Sequence, residues 1–482
     1  MALDWKTLLC DTRIREAMGG RASAPLEDDG RTEFDRDYDR TVFSTPVRRL
    51  KDKTQVFPLD PNDAVRTRLT HSMEVSTLAR GLARGAARWM WREGHIDSSQ
   101  RVLDIEAIAA TCGLIHDLGN PPFGHAGEEA ISSWFKKSFG ETGKGLYPGA
   151  ETAPARDGQL RNDFLRFEGN AQTLRIVSRL QLLADSYGLN LTVGTLSAAM
   201  KYTAASDETS DTGPADRKKP GYFASEQPLV DRIRSLTGTG TARNPIAYLV
   251  EACDDMVYAT VDLEDGVKKG IVSWHEVEAF LEGNDDSGLA KRILKSVHEY
   301  IEKADTPLAG RARDEALAQH FRTLVIGEAK KEVLAAFRRH YARLMQGEAL
   351  TQGDLISASG AARLIEVCKK FGREHVYNAP ETLRLETLGR RVIHGLMDIF
   401  WEGAHGCPDP VDTTSKAWKK FNKSPEGKVY NLLSRNYRTA FESASKSSSL
   451  PPLYHRYQLV TDYVCGMTDT FACDLHARLT HG

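Results

Sequence analysis

The stretch GLIHDLGNPPFGHAGEEA, residues 113–130, decides how this chain is read. An apolar segment from Ile105 to Ile115 reads as a buried helix; it stops at Gly119, and Pro121 and Pro122 block any continuation. His116 and Asp117 then fall in its last turn, where unpaired carbonyls favour a nearby cation. A second helix runs from His125 to Phe135, and on it His125 and Glu128 share a face three residues apart. The free N–H groups at its start suit an anion such as a phosphate. One short segment thus offers two metal-ligand residue types, an acid/base histidine and a carboxylate to orient it. The bland alternative is a capped helix with two satisfied surface histidines.

Upstream, RTRLTHSMEV (66–75) places His71 at the start of a helix reaching Trp91, with Val75, Leu78, Ala79, Leu82 and Ala86 at helical spacing and Thr70 as N-cap. Arg68 precedes His71 by three residues, and its guanidinium fork suits bidentate phosphate contact. Gln55 could hydrogen-bond a base or a phosphate, whereas Arg48 and Arg49 suit structural salt bridges at least as well.

Downstream, Asn244-Pro245 opens a helix that runs to about Lys268 and contains LVEACDDMVYATVDLED (249–265). Asp254, Tyr258 and Asp262, spaced by four, form a polar stripe, while Leu249, Val250, Cys253, Met256 and Val257 supply apolar faces. Tyr258 could stack on a sugar or base while Asp262 accepts a hydroxyl hydrogen bond; the alternative is a solvated acidic face. Lys201 and the pair Lys218-Lys219 could reach the outer phosphates of a triphosphate, or be merely solvated. Together, His71, His116, Asp117 and Asp254 are two imidazoles and two carboxylates, a set suited to a borderline divalent ion.

The 482 residues suffice for a large core. Hydrophobic residues make up 41% and charged residues 27%, as in an ordinary soluble globular protein. Net charge is 64 − 66 = −2, so no global field recruits nucleic acid. Seven cysteines form no CxxC pair and read as reduced core residues, and no apolar run reaches membrane-spanning length. These features predict a soluble, cytoplasmic protein. A further helix is expected over Phe167 to Leu183, and a short hairpin around Leu189 to Thr192 is the one candidate strand pair. Residues 137–163 and 204–227, rich in Gly, Pro and small polar residues, read as lid-like loops.

The strings DRDYDRTVFSTPVRRLKDKTQVF, RTRLTHSMEV, HDLGNPPFGHAGEEAI, FEGNAQTLRI and EACDDMVYATVDLED resemble those of the bacterial deoxyguanosine triphosphate triphosphohydrolase family of the HD-domain superfamily. GLNLTVGTL and TDYVCGMTD are similar as well, so the likeness spans most of residues 31 to 270 and returns near the C-terminus. The resemblance implies an all-α HD-domain helical bundle over 1–300, with an additional C-terminal helical region over 301–482 that packs on it and contributes to substrate pocket and oligomer. It implies His71, His116, Asp117 and Asp254 as metal ligands, His125 as the catalytic histidine and Glu128 as its partner. Gln55, Arg68, Tyr258, Asp262, Lys201 and Lys219 would contact substrate, with Tyr258 against the sugar. Asn120 stands where eukaryotic relatives have another histidine, which leaves the role of that position open.

The activity so implied is hydrolysis of a deoxynucleoside triphosphate to deoxynucleoside and inorganic triphosphate, with Mn²⁺ or Mg²⁺ and, compatibly, Fe²⁺ or Co²⁺. A homo-oligomer, commonly a hexamer, is implied, as is response to a nucleotide or single-stranded DNA. Two other readings remain: a different HD-domain phosphatase or phosphodiesterase activity, and a nucleotide-sensing assembly whose chemistry is secondary. Base preference, and the choice between nucleotide-pool control and defence against phage, stay open.

Overall fold

Helices form every regular element of the computed structural model among its described residues. These exclude 1, 23–28, 58, 60–65, 140–153, 182–184, 304, 306, 411 and 481–482. Extended pairing there is limited to isolated bridges, Arg13 with Thr192, Thr54 with Thr67 and Ala204 with Pro220. The expected all-α class holds. The expected hairpin at 189–192 does not form: Leu191 O accepts from Ile14 N (3.0 Å) and Val193 N donates to Thr12 O (2.9 Å). That extended segment found its partner at the N-terminus, beyond the reach of a local turn signal.

The helix bearing His71 is Arg68–Arg92, and it starts earlier than the apolar spacing suggests. Thr67, not Thr70, is its N-cap; Thr70 Oγ1 accepts from Thr67 N (3.1 Å), the reciprocal half of a capping box. Its inward face of Val75, Ala79, Leu82, Ala83, Ala86 and Met90 packs on Ser99–Ile115, a helix buried along most of its length. Both lie against Pro245–Lys269, which opens on an Asn244 side-chain cap (3.0 Å to Ile246 N) and ends at Gly270. The apolar residues read from the sequence there are buried as expected. So are the acids of its C-terminal half, Asp262, Glu264 and Asp265, contrary to a solvated acidic face: Glu264 pairs with Arg66 (3.2 Å) and Arg322 (2.8 Å), and Asp265 pairs with Arg66.

The described parts of the segment read as a loop over 137–163 are helical, belonging to Gly124–Phe139 and Pro154–Leu165. Residues 204–227 do lack long helices; 207–214 are largely exposed, but the two ends are packed down, with Tyr222, Phe223 and Ala224 buried and Ser206 Oγ donating to Asp163 Oδ1 (2.6 Å). The helix expected over 167–183 runs through Gly169–Arg175 and one wider turn, Ile176–Leu180.

Two hydrophobic clusters organise the rest. The first joins the Arg68–Arg92, Ser99–Ile115 and Pro245–Lys269 helices with Gly310–Met345 and Ala362–Phe371. The second joins Gly124–Phe139 with Pro380–Gly406 and Pro452–Cys465. A third, smaller cluster holds Leu114, Ile115 and Leu118 around His116, while His71 and Asp254 ride on the first and His125 on the second, so the 113–130 segment runs from one core to another.

A candidate metal centre beside a histidine–carboxylate pair

Four side chains from three separate stretches of sequence converge. His71 Nε2 lies 3.2 Å from Asp254 Oδ1, and His116 Nε2 lies 3.4 Å from the same oxygen and 3.6 Å from Asp117 Oδ1. Ligand atoms of His71, His116 and Asp117 all fall within 4.8 Å of one another. Adjacent ligands of a six-coordinate ion bound at about 2.1 Å are about 3 Å apart, so the spacing fits a divalent cation with slight contraction. His116 lies one residue beyond its helix, which ends at Ile115. There its Nδ1 donates to Gly113 O (2.7 Å), which fixes the tautomer and turns the Nε2 lone pair inward; that buried nitrogen has no hydrogen-bond partner. The donor set and this orphaned atom fit a bound cation.

Neighbouring charges hold the carboxylates ready. Burial works to raise the Asp117 pKa, but the Arg68 guanidinium and both imidazoles bring it down to about 2. Asp254 is likewise held well below the usual range, against burial, by His116, His71 and Lys201. Arg68 donates to Asp117 Oδ2 (2.6 Å), and Asn120 Nδ2 donates to Asp117 Oδ1 (2.7 Å). Asn120, whose role the sequence left open, therefore orients a carboxylate of the cluster.

Beside the cluster, His125 Nδ1 bonds Glu128 Oε2 (2.8 Å), while Glu128 Oε1 accepts from Gly169 N (2.8 Å). Glu128 is buried and the His125 side chain is 76% exposed, so the carboxylate is the fixed member and the imidazole its projecting tip. The hydrogen bond to Glu128 raises the His125 pKa against the charges of Arg68 and Lys219.

Gln55, Arg68, His116, Asp117, His125, Glu128, Lys201, Lys219, Asp254 and Tyr258 line one cavity of about 160 Å³. The same His125, Glu128, Glu168 and Lys219 also border a wider cleft of about 880 Å³. Lys201 sits 3.8 Å from Asp254, and Lys219 is paired with Glu168 at 2.9 Å. His71 is buried immediately behind this wall. Arg49 takes the structural part allowed for it, bonding Tyr437 Oη (3.2 Å) and Gly466 O (3.0 Å).

Asp262 is not among the residues lining that cavity. It is 2% exposed and off the cavity wall, its Oδ2 accepting from the Tyr377 hydroxyl. A spacing of four drifts about 40° per step around a helix, so eight residues turn about 80° away from Asp254. Burial pushes its carboxyl up to about 8. Tyr377 stands 6.0 Å from the Tyr258 ring and lies in a region with no recognisable motif. Sequence reasoning also missed Tyr202, Asn170, Glu251 and Arg243 on the wall. Adjacency to Lys201 could have flagged Tyr202, and helical spacing from Asp254 could have flagged Glu251. Arg243 is buried against Glu251 (2.6 Å) with its Nε unpartnered, and no local signal marks it.

Comparison with known proteins agrees with this geometry. The HD domain model matches residues 68–169, and a phosphohydrolase-associated domain matches residues 356–478. A Listeria monocytogenes deoxyguanosinetriphosphate triphosphohydrolase-like protein is 35% identical over 99% of both chains. The deoxyguanosinetriphosphate triphosphohydrolases of Yersinia enterocolitica and Serratia proteamaculans are each 32% identical, covering 97% and 93% of both chains respectively. No described helix is long and apolar enough to cross a membrane. With that near-complete coverage, the chain belongs to the deoxyguanosine triphosphate triphosphohydrolase-like family of HD-domain proteins.

Proposed function

We propose that the protein hydrolyses deoxynucleoside triphosphates at the α-phosphorus, releasing deoxynucleoside and inorganic triphosphate, and that it needs a divalent metal to do so. The observation that carries this is the convergence of His71, His116, Asp117 and Asp254, with nitrogen–oxygen separations of 3.2, 3.4 and 3.6 Å among them, at the wall of a cavity that also holds the His125–Glu128 pair. Those four residues would hold the ion, and Mn²⁺, Mg²⁺, Fe²⁺ and Co²⁺ are all compatible with their donor set. A cation held there supplies Lewis acidity to an α-phosphate oxygen and acidifies a water.

The chain's own residues do the rest. Glu128, fixed by Gly169 N, holds Nδ1 of His125 and leaves Nε2 to give a proton to the departing 5′-oxygen. As water attacks the α-phosphorus, the bond from that phosphorus to the 5′-oxygen breaks, and the protonated oxygen leaves as the deoxynucleoside hydroxyl. Arg68, whose Nε has no protein partner, and Lys201 and Lys219 face the phosphates and offset their charge in the transition state. Tyr258 walls the cavity where the sugar would lie.

The test is product analysis: incubate the protein with each common dNTP and NTP, singly and in pairs, with Mn²⁺ or Mg²⁺. Triphosphate is expected from dNTPs; pyrophosphate or orthophosphate would reject the proposed cleavage, and pairwise stimulation would report an activating nucleotide.

A further inference from the structure

The turn that delivers His125 is strained, and its restraint comes from the opposite end of the chain. Phe123 has φ 64°, a left-handed conformation that a bulky L-residue rarely adopts. Gly124 follows with φ 57°, and a Cβ there would lie 2.5 Å from a guanidinium nitrogen of Arg68. Such a backbone persists only where its surroundings over-determine it.

The surroundings that do so belong to Asp469, at the start of the Asp469–Thr480 helix and 1% exposed. One carboxylate oxygen accepts from Phe123 N (3.0 Å); the other accepts from Thr54 N (2.9 Å) and Thr54 Oγ1 (2.6 Å). Thr54 thereby locks the carboxylate in register, leaving the first oxygen aimed at the strained residue. The Phe123 ring is pinned as well, lying so close to Gly389 that a Cβ there would meet it at 2.5 Å. Lys53 closes the near side of the turn, donating to Asn120 O (2.5 Å) and Cys465 O (2.8 Å). His125 is two residues past Phe123, so whatever fixes that peptide fixes where the imidazole starts.

We infer that Asp469 is a positioning residue for His125: it touches no substrate, and it holds the left-handed Phe123 peptide so that the imidazole meets the reacting atoms. This rests on the proposed triphosphohydrolase reaction, but the coupling of Asp469 to His125 is measurable whatever product is released. A carboxylate that served only to begin the last helix would affect stability and would act independently of His125.

The experiment is a double-mutant cycle in the full chain with Mn²⁺ and dGTP: wild type, Asp469→Ala, His125→Ala and the double variant. Asp469→Ala should lower kcat between about 10- and 100-fold, the scale of an ångström-level misplacement, with KM within about threefold. In the His125→Ala background the same change should cost almost nothing, because there is no imidazole left to misplace. Should Asp469→Ala be poorly folded, Asp469→Asn keeps one acceptor and should give an intermediate kcat with the same loss of effect once His125 is gone. An unchanged kcat, or a full additive loss in the double variant, would overturn the inference. Failure of the reaction reading is read separately, from wild-type products: pyrophosphate would refute the chemistry while the cycle still reports the coupling.

Discussion

Two of the buried clusters of charged side chains in this protein are completed in opposite ways. Around Arg175 the guanidinium is used up: Nε bonds both oxygens of Asp462 (2.8 and 2.9 Å), one terminal nitrogen bonds Asp462 (2.7 Å), and the other bonds Glu226 (2.8 Å). Around His116 the convergence is just as tight, yet the inward-facing His116 Nε2 has no hydrogen-bond partner. A buried cluster that serves structure saturates its own donors and acceptors, since each unmet one costs free energy. A cluster built for a ligand keeps inward-facing lone pairs for it. The contrast separates the two roles where burial and charge alone do not.

The largest effect should come from removing one ring of the open cluster. His116→Ala, or chelation of the wild type, should lower turnover by more than about 10³-fold, on the order of 4 kcal/mol in barrier height. The metal-free melting temperature should barely move. Arg175→Met should do the reverse. Stranding buried Asp462 and Glu226 should destabilise the fold by about 3 kcal/mol in denaturant titration. Metal bound per folded molecule should stay the same.

Smaller effects belong to the edge of the open cluster. Glu128→Gln should reduce kcat about 10- to 100-fold by loosening the proton donor. It should also move the alkaline limb of the pH–rate profile to lower pH. The sign follows from the hydrogen bond to Glu128, which raises the His125 pKa. The protonated donor survives to higher pH while that bond exists and is lost sooner without it. Lys219→Ala, at a half-exposed ion pair with Glu168, should have the least effect: KM for dGTP up several-fold, about 1 kcal/mol, with kcat nearly constant.

Legibility in the sequence followed locality. His116, Asp117, His125 and Glu128 lie within one turn and its flanking helices, so spacing alone put them side by side. Asp254 and Tyr258 lie one helical turn apart and share the cavity, again as spacing implies. Asp262 marks where that rule ends, because helical drift carries it behind the wall, onto Tyr377. Tyr377 was illegible because it acts through tertiary contact with a segment far away in the chain and carries no local pattern; Arg243 bonds Glu251 only eight residues on, and Asp469 closes the string TDYVCGMTD, but neither spacing nor string announces the contact each one makes. The Thr67 cap was hidden by the stronger apolar period starting at His71. The extended segment at 189–192 has β-like composition, but only the fold reveals that Thr12 and Ile14 are its partners.

The proposed chemistry stands or falls on whether a caged cation and the His125 donor direct water to the α-phosphorus. The decisive measurement runs the Mn²⁺ reaction with dGTP in water enriched in heavy oxygen and locates the label. The heavy oxygen is expected in inorganic triphosphate, with an unlabelled 5′-hydroxyl on the deoxynucleoside and no product after chelation. Label in the deoxynucleoside, or full turnover without metal, would contradict it.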